Sequence, residues 1–181
     1  ELAGLPGGGL NIAYEAVERH AQGTRRDNIA FRFLGANTTR NISYGELSRL
    51  TNRFANVLKT LGVVKGERLF VLSGRIPELY VAVLGSFKNG TVVSPLFSAF
   101  GPEPIATRMN LGGARALLTT PALYTRKVAP VRAQIGSLQQ VLLIGDGSAA
   151  LPDGTHDLRA LMNDASDEFA CVPTRPDEMA L

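Results

Sequence analysis

Residues 68–95 read RLFVLSGRIPELYVAVLGSFKNGTVVSP, and this stretch decides the fold class. It opens with a nearly continuous apolar run over 68–73, which is typical of a strand buried on both faces. Pro77 suits the first turn of a helix that ends before Gly90, and a β-branched strand follows over 91–95. A strand, a helix and a second strand of this kind predict two parallel strands joined by a crossover helix.

The same alternation continues to residue 144. The pattern predicts a helix over 102–110, a strand over 114–120, a helix over 121–127 and a strand over 141–144. We therefore expect an α/β fold with a mostly parallel sheet, helices on both of its faces and right-handed crossovers.

The part before residue 67 has a different rhythm. Asn11 can cap a helix over 12–22, with Ile12, Ala16, Val17 and His20 on one face. Two short strands, 29–34 and 41–44, flank a polar turn and predict a small β-hairpin.

A second helix begins at the capping box formed by Ser43 and Glu46 and ends at Gly62. In such a box the serine oxygen accepts from the Glu46 N–H, and the glutamate reaches back to the Ser43 N–H. The sequence thus divides into an N-terminal helix, hairpin and capped helix over 1–66 and a parallel α/β unit over 67–181.

Length and composition limit the function classes. The 181 residues amount to about one domain, and 45% are apolar and 19% charged, as in globular proteins. The formal charge of +3 is scattered and lacks the basic stripe of a nucleic-acid binder. The longest apolar run, 79–84, is far shorter than the roughly 20 residues of a membrane span. We expect neither nucleic acid nor membrane as a partner.

No complete catalytic set or metal site is visible in the sequence. Cys171 is the one cysteine, so the chain cannot form an internal disulfide, and this favours a reducing cytoplasm. No Cys or His residues are spaced as metal ligands are. Neither His20 nor His156 has a catalytic partner at motif spacing. The glycines of Gly145-Asp146-Gly147 follow a strand, but a dinucleotide fingerprint would need a third glycine.

Two features have both a structural and a functional interpretation. Residues 95–102, PLFSAFGP, leave the carboxyl end of a predicted strand, where α/β sheets bind ligands. Phe97 and Phe100 can line a site for a flat ring, although the local pattern favours packing in the core. Arg126 and Lys127 can clamp a phosphate or simply favour the negative end of a helix.

Several stretches over residues 10–144, taken in order, resemble the AMP-forming acyl-CoA synthetases of the adenylate-forming superfamily, especially acetyl-CoA synthetases. The ordered series, rather than any one piece, carries the resemblance. The stretches are LNIAYEAVERH at 10–20, ISYGEL at 42–47 with NRFA at 52–55, KGER at 65–68, PELYVAVLG at 77–85, KNG at 88–90 and VSPLF at 93–97.

The resemblance implies a fold, a reaction and its cofactors. The chain would be the first subdomain of the adenylate-forming N-terminal domain, and 177–181 would lead into a phosphate loop beyond Leu181. Such enzymes activate a carboxylic acid, here acetate or another short acid, with ATP and Mg²⁺, and transfer the acyl group to coenzyme A. The fragment alone would be inactive, and the rest of the same polypeptide would be its partner.

The resemblance also implies a coenzyme A site within the chain. Phe97, Ser98 and Ala99 would contact the coenzyme A nucleotide, and Arg126 with Lys127 would approach its phosphates. The resemblance therefore favours a Phe97 side chain that faces the ligand over one that packs in the core. Acetyl-CoA synthetases often have glycines at the positions of Ser98 and Ala99 and two arginines at the basic pair, so the contacts differ in detail.

A different class of function competes with the ligase. The alternative is a non-catalytic α/β module that binds coenzyme A or a nucleotide, or that docks another chain. For the isolated fragment we expect an exposed apolar sheet edge and self-association, because the partner strands of its sheet would be absent.

Overall fold

The N-terminal part of the computed structural model, which describes residues 2–35, 38–145 and 150–181, contains two helices and a hairpin. Helix α1 is a π-helical turn, Tyr14–Glu18, followed by one α-helical turn, Arg19–Ala21. Antiparallel strands β1 (Ile29–Leu34) and β2 (Thr39–Ser43) form the hairpin, and α2 (Tyr44–Thr60) follows at once.

Five strands of the described chain form a parallel sheet in the order β4-β3-β5-β6-β7. In chain order the elements are β3 (Arg68–Leu72), α3 (Pro77–Lys88), β4 (Val92–Pro95), α4 (Pro102–Leu111), β5 (Ala114–Thr119), α5, β6 (Gln140–Leu143), β7 (His156–Asp157) and α6 (Leu158–Asp164). Helix α5 starts as Pro121–Leu123 and continues as a π-helical turn, Tyr124–Val128, and a 3-10 segment, Ala129–Gln134. The predicted α/β fold class is confirmed.

Two apolar clusters cover the two faces of this sheet. Successive side chains of a strand point to opposite faces, so Leu69 and Val71 join the first cluster whereas Phe70 and Leu72 join the second. Helices α2 and α3 cover the first cluster, and α4 and α5 cover the second. Residues from both sides of the sequence division at residue 66 meet in the first cluster, where Phe54 lies with Leu69.

The N-terminal helix buries a different face from the predicted one. Asn11 Oδ1 accepts from the Ala13 and Tyr14 N–H groups, so the predicted cap is confirmed. The buried apolar side chains, however, are Ala13, Val17 and Ala21, so Val17 alone of the predicted face is fully buried, while Ile12 and Ala16 are exposed. The π-helical turn widens the spacing to four residues, which moves the apolar stripe away from Ile12.

The capping box of α2 forms only in part. Ser43 Oγ accepts from the Glu46 N–H at 3.2 Å, as predicted. The Glu46 carboxylate, by contrast, accepts from Arg40 Nη2 at 3.1 Å, because β2 brings the guanidinium close to the helix N-terminus. No helix in the described part of the chain is long and apolar enough to cross a membrane.

Candidate functional site

The strand order identifies one edge of the sheet as the candidate ligand-binding edge. After β3 the chain crosses to β4 on one side and then returns to β5 on the other side. Open α/β sheets bind ligands at the carboxyl ends of the strands where the order reverses in this way. The loop after β3, the loop 96–101 after β4 and the start of α5 after β5 all leave the sheet at this edge.

Loop 96–101 presents one of its two phenylalanines to solvent. Phe97 is 64% exposed, and its ring meets the ring of Phe100 edge-on, with centroids 5.6 Å apart and an interplanar angle of 87°. Phe100 is half-buried against the second cluster, and the Arg108 guanidinium carbon lies 4.1 Å from its ring centroid. The core interpretation is therefore wrong for Phe97, which is mostly exposed, whereas Phe100 packs against the second cluster.

The two residues between the phenylalanines leave the Phe97 ring accessible. Ser98 and Ala99 are small and exposed. The Phe100 N–H donates to Phe97 O at 3.0 Å, which closes the loop into a tight turn. This turn places the small residues Ser98 and Ala99 between the two phenylalanines, whose rings contact each other edge-on.

The predicted cation pair lies next to this loop, but its two members have different partners. Lys127 is half-buried, and its Nζ donates to Ser98 O at 2.5 Å and to Phe100 O at 2.7 Å. Arg126 is exposed, and its Nε donates to Ala122 O at 3.2 Å within α5. Of this pair, the structure brings Lys127 into contact with the loop of Phe97, Ser98 and Ala99, whereas the Arg126 side chain bonds within α5.

Two further cationic side chains lie at this edge that the sequence did not predict as site residues. Arg75 is exposed in the loop after β3, which the strand order places between β4 and β5. Arg108 of α4 stacks on the Phe100 ring. Sequence spacing carries no signal for either residue, because their positions depend on how strands and helices assemble.

The other candidate reactive groups have structural partners. His20 packs against the Tyr44 ring, and His156 Nε2 is hydrogen-bonded with Gln140 Oε1. Burial raises the pKa of the Cys171 thiol to about 11, which agrees with its interpretation as unreactive. The glycine pair around Asp146 lies partly outside the described residues.

Comparison with known proteins settles the family. A family model described as "AMP-binding enzyme" matches residues 17–181. The chain belongs to the AMP-binding enzyme family. Two similar AMP-binding relatives are named acetyl-coenzyme A synthetase. The one from Bacillus subtilis (strain 168) is 37% identical over 139 residues, which are 76% of this chain and 24% of the relative.

The second relative, from Methanothrix soehngenii, is 37% identical over 130 residues, which are 70% of this chain and 19% of that protein. The chain thus spans about a quarter or less of the length of these relatives.

Solved structures of AMP-binding enzymes share the fold. The Brucella canis acyl-CoA synthetase superposes with a TM-score of 0.86 at 29% identity, covering 99% of this chain and 32% of that chain. An anthranilate CoA ligase solved with anthranoyl-AMP superposes with a TM-score of 0.83 at 18% identity, which supports the fold alone. The resemblance found in the sequence is confirmed.

Proposed function

We propose that this chain is the N-terminal portion of an ATP-dependent acyl-CoA ligase. The whole enzyme converts a carboxylic acid, ATP and coenzyme A into acyl-CoA, AMP and pyrophosphate, with acetate or another short acid as its substrate. The names of the relatives and the short share of their length that the chain covers support this proposal. The observation that carries it is the exposed aromatic loop beside a cation pair, at the ligand-binding edge of an AMP-binding fold.

Within this chain we assign a coenzyme A site to Phe97, Ser98, Ala99 and Arg126, with Lys127 bonded to the backbone of the same loop. Coenzyme A carries an adenine ring and phosphates, and the site offers an exposed ring and an exposed guanidinium, so the residues fit the group. The ring would stack on Phe97, and Arg126 would pair with phosphate oxygens. When bound, coenzyme A supplies the thiol that accepts the acyl group.

The remaining chemistry belongs to the rest of the polypeptide. The described residues contain no group of three or more His, Cys, Asp or Glu side chains placed to hold a metal ion. We propose that Mg²⁺ binds with ATP in the rest of the enzyme. We place the ATP site, the acyl pocket and all catalytic residues in the rest of the enzyme, and we expect the 181-residue chain alone to be inactive. We also propose that residues 1–66 and 67–181 are the two parts of this chain, and that the protein is located in the cytoplasm.

Acid-dependent ATP–pyrophosphate exchange tests this proposal. The protein is expressed to its natural stop codon and assayed with acetate, propionate and butyrate, with the 181-residue chain as control. Exchange with one or more of these acids, absent from the control, supports acyl-adenylate formation and names the acid. Absence of exchange with every acid would overturn the ligase proposal in favour of a binding or docking module.

A further inference from the structure

We propose that Lys127 is a positioning residue, which holds loop 96–101 so that Phe97 points outward, and that it does not itself bind phosphate. Its effect on the loop is independent of the ligase proposal. Its effect on coenzyme A binding rests on that proposal.

The hydrogen bonds of Lys127 carry the first step. An ammonium group has three N–H donors, and two of those of Lys127 are directed at carbonyls of one loop, Ser98 O and Phe100 O. Bonds from a charged donor are about twice as strong as neutral ones. Because two of its three donors are committed to the loop backbone, the ammonium could offer a phosphate only one N–H without releasing a carbonyl, and we assign it no phosphate contact.

The second step concerns how the loop is held elsewhere. The Leu96 N–H donates to Val71 O at 2.8 Å, which ties the start of the loop to β3. The Phe100 N–H closes the turn on Phe97 O. These bonds fix the ends of the turn. Lys127 adds hydrogen bonds to two carbonyls of the turn, which attach the turn to α5.

The third step explains why a held loop matters for binding. Phe97 is a large apolar side chain that is mostly exposed, and its ring can turn back towards protein surface if the turn is loose. Ordering a side chain during binding opposes association, so a ring that is already directed outward binds more tightly. Lys127 therefore raises affinity through Phe97 without touching the ligand.

Arg126 offers the contrast that makes the inference testable. Neighbouring residues of a helix do not face each other, and the Arg126 side chain bonds to its own helix rather than to the loop. We therefore assign phosphate contact to Arg126 alone. Loss of Arg126 should weaken coenzyme A binding and leave the loop unchanged, whereas loss of Lys127 should alter both.

The first experiment measures amide hydrogen exchange in the whole protein, expressed to its natural stop codon. Lys127→Met keeps the apolar stem but loses the donors, and we expect exchange in loop 96–101, relative to β5, to become about tenfold faster. Lys127→Arg, Arg126→Met and the exposed-site control Lys59→Met should stay within about twofold of wild type. The ratio to β5 separates loop release from general unfolding. A ratio for Lys127→Met within about twofold of wild type would overturn the proposal.

The second experiment measures coenzyme A kinetics on the same variants. Lys127→Met should raise KM for coenzyme A about tenfold with kcat and ATP–pyrophosphate exchange near wild type, and Lys127→Arg should restore KM. Faster loop exchange with an unchanged KM would overturn the positioning role. A wild-type protein inactive with every acid overturns the ligase proposal, and the hydrogen-exchange result still decides whether Lys127 holds the loop.

Discussion

Lys88 shows how much a single side chain can organise. It is fully buried at the end of α3, and its ammonium donates to the Glu18 carboxylate, to Asn52 Oδ1 and to Ser48 O. These acceptors lie on α1 and α2, so one lysine joins three helices. Burial lowers the pKa of Lys88, and the neighbouring Glu18 opposes this shift.

At this residue we predict a large loss of stability on Lys88→Met. The free energy of unfolding should fall by about 3–5 kcal/mol, because Glu18 would stay buried without its positive partner. Urea denaturation followed by circular dichroism measures the change.

Two matched variants keep this prediction testable. The double variant Glu18→Gln with Lys88→Met should recover most of the loss, since no buried charge is left unpaired. Lys59→Met, at an exposed position of α2, should change the free energy of unfolding by less than about 0.5 kcal/mol. A loss of less than about 1 kcal/mol for Lys88→Met would contradict the prediction.

The pKa of Lys88 adds a pH dependence to the same comparison. Its pKa in the folded chain lies below the unfolded value of 10.5, so the unfolded chain binds more protons between the two values. The stability of the wild type relative to the double variant should therefore rise with pH across that interval.

At the scale of elements, the close contact of α2 with α3 depends on Gly85. A Cβ atom at this position would lie 2.8 Å from Thr51 O and 2.9 Å from Phe54 Cβ. Both distances are too short for unstrained contact, so the absence of a side chain permits the two helices to approach.

We therefore predict that Gly85→Ala destabilises the protein although alanine favours helices. Overpacking should lower the free energy of unfolding by about 1–3 kcal/mol, against a gain of about 1 kcal/mol from helix propensity. Gly136→Ala is the matched control, because its added Cβ meets nothing within 4 Å. Urea midpoints compare the two variants, and a midpoint for Gly85→Ala above wild type would refute this account.

At the scale of the whole molecule, one edge of the sheet is covered only in part. Strand β4 is the edge strand, and its Val93 N–H donates to Ala180 O at 2.9 Å. The segment containing Ala180 also exposes Met179 by 69% and Leu181 by 72%. Apolar side chains beside an edge strand favour association with further chains.

We predict that the 181-residue chain self-associates through this edge. Its apparent mass in light scattering should rise with concentration, and the variant Met179→Lys with Leu181→Lys should reduce the rise. Leu111→Lys, on α4, replaces a leucine that is even more exposed but does not belong to this edge, and it should leave the rise in apparent mass unchanged. A constant monomeric mass over a wide concentration range would contradict the prediction.

The sequence by itself determined the elements and the family. Apolar runs and proline positions predicted β3, α3 and β4, and Ser43 marked the start of α2, because strand burial and helix capping act between near neighbours in the chain. The ordered stretches over 10–144 likewise indicated the family that the matched residues 17–181 confirm. The buried face of α1 was predicted wrongly, because a π-helical turn changes the spacing on which that prediction relied.

Only the tertiary structure decided which side chains meet. The sequence placed Lys127 beside Arg126, and it could not show that Lys127 bonds to a carbonyl 29 residues away while Arg126 bonds to its own helix. It also could not show that Lys88 is buried against Glu18, which is 70 residues distant. Such contacts depend on the strand order and on the docking of helices, which arise from packing across the whole chain rather than from local periodicity.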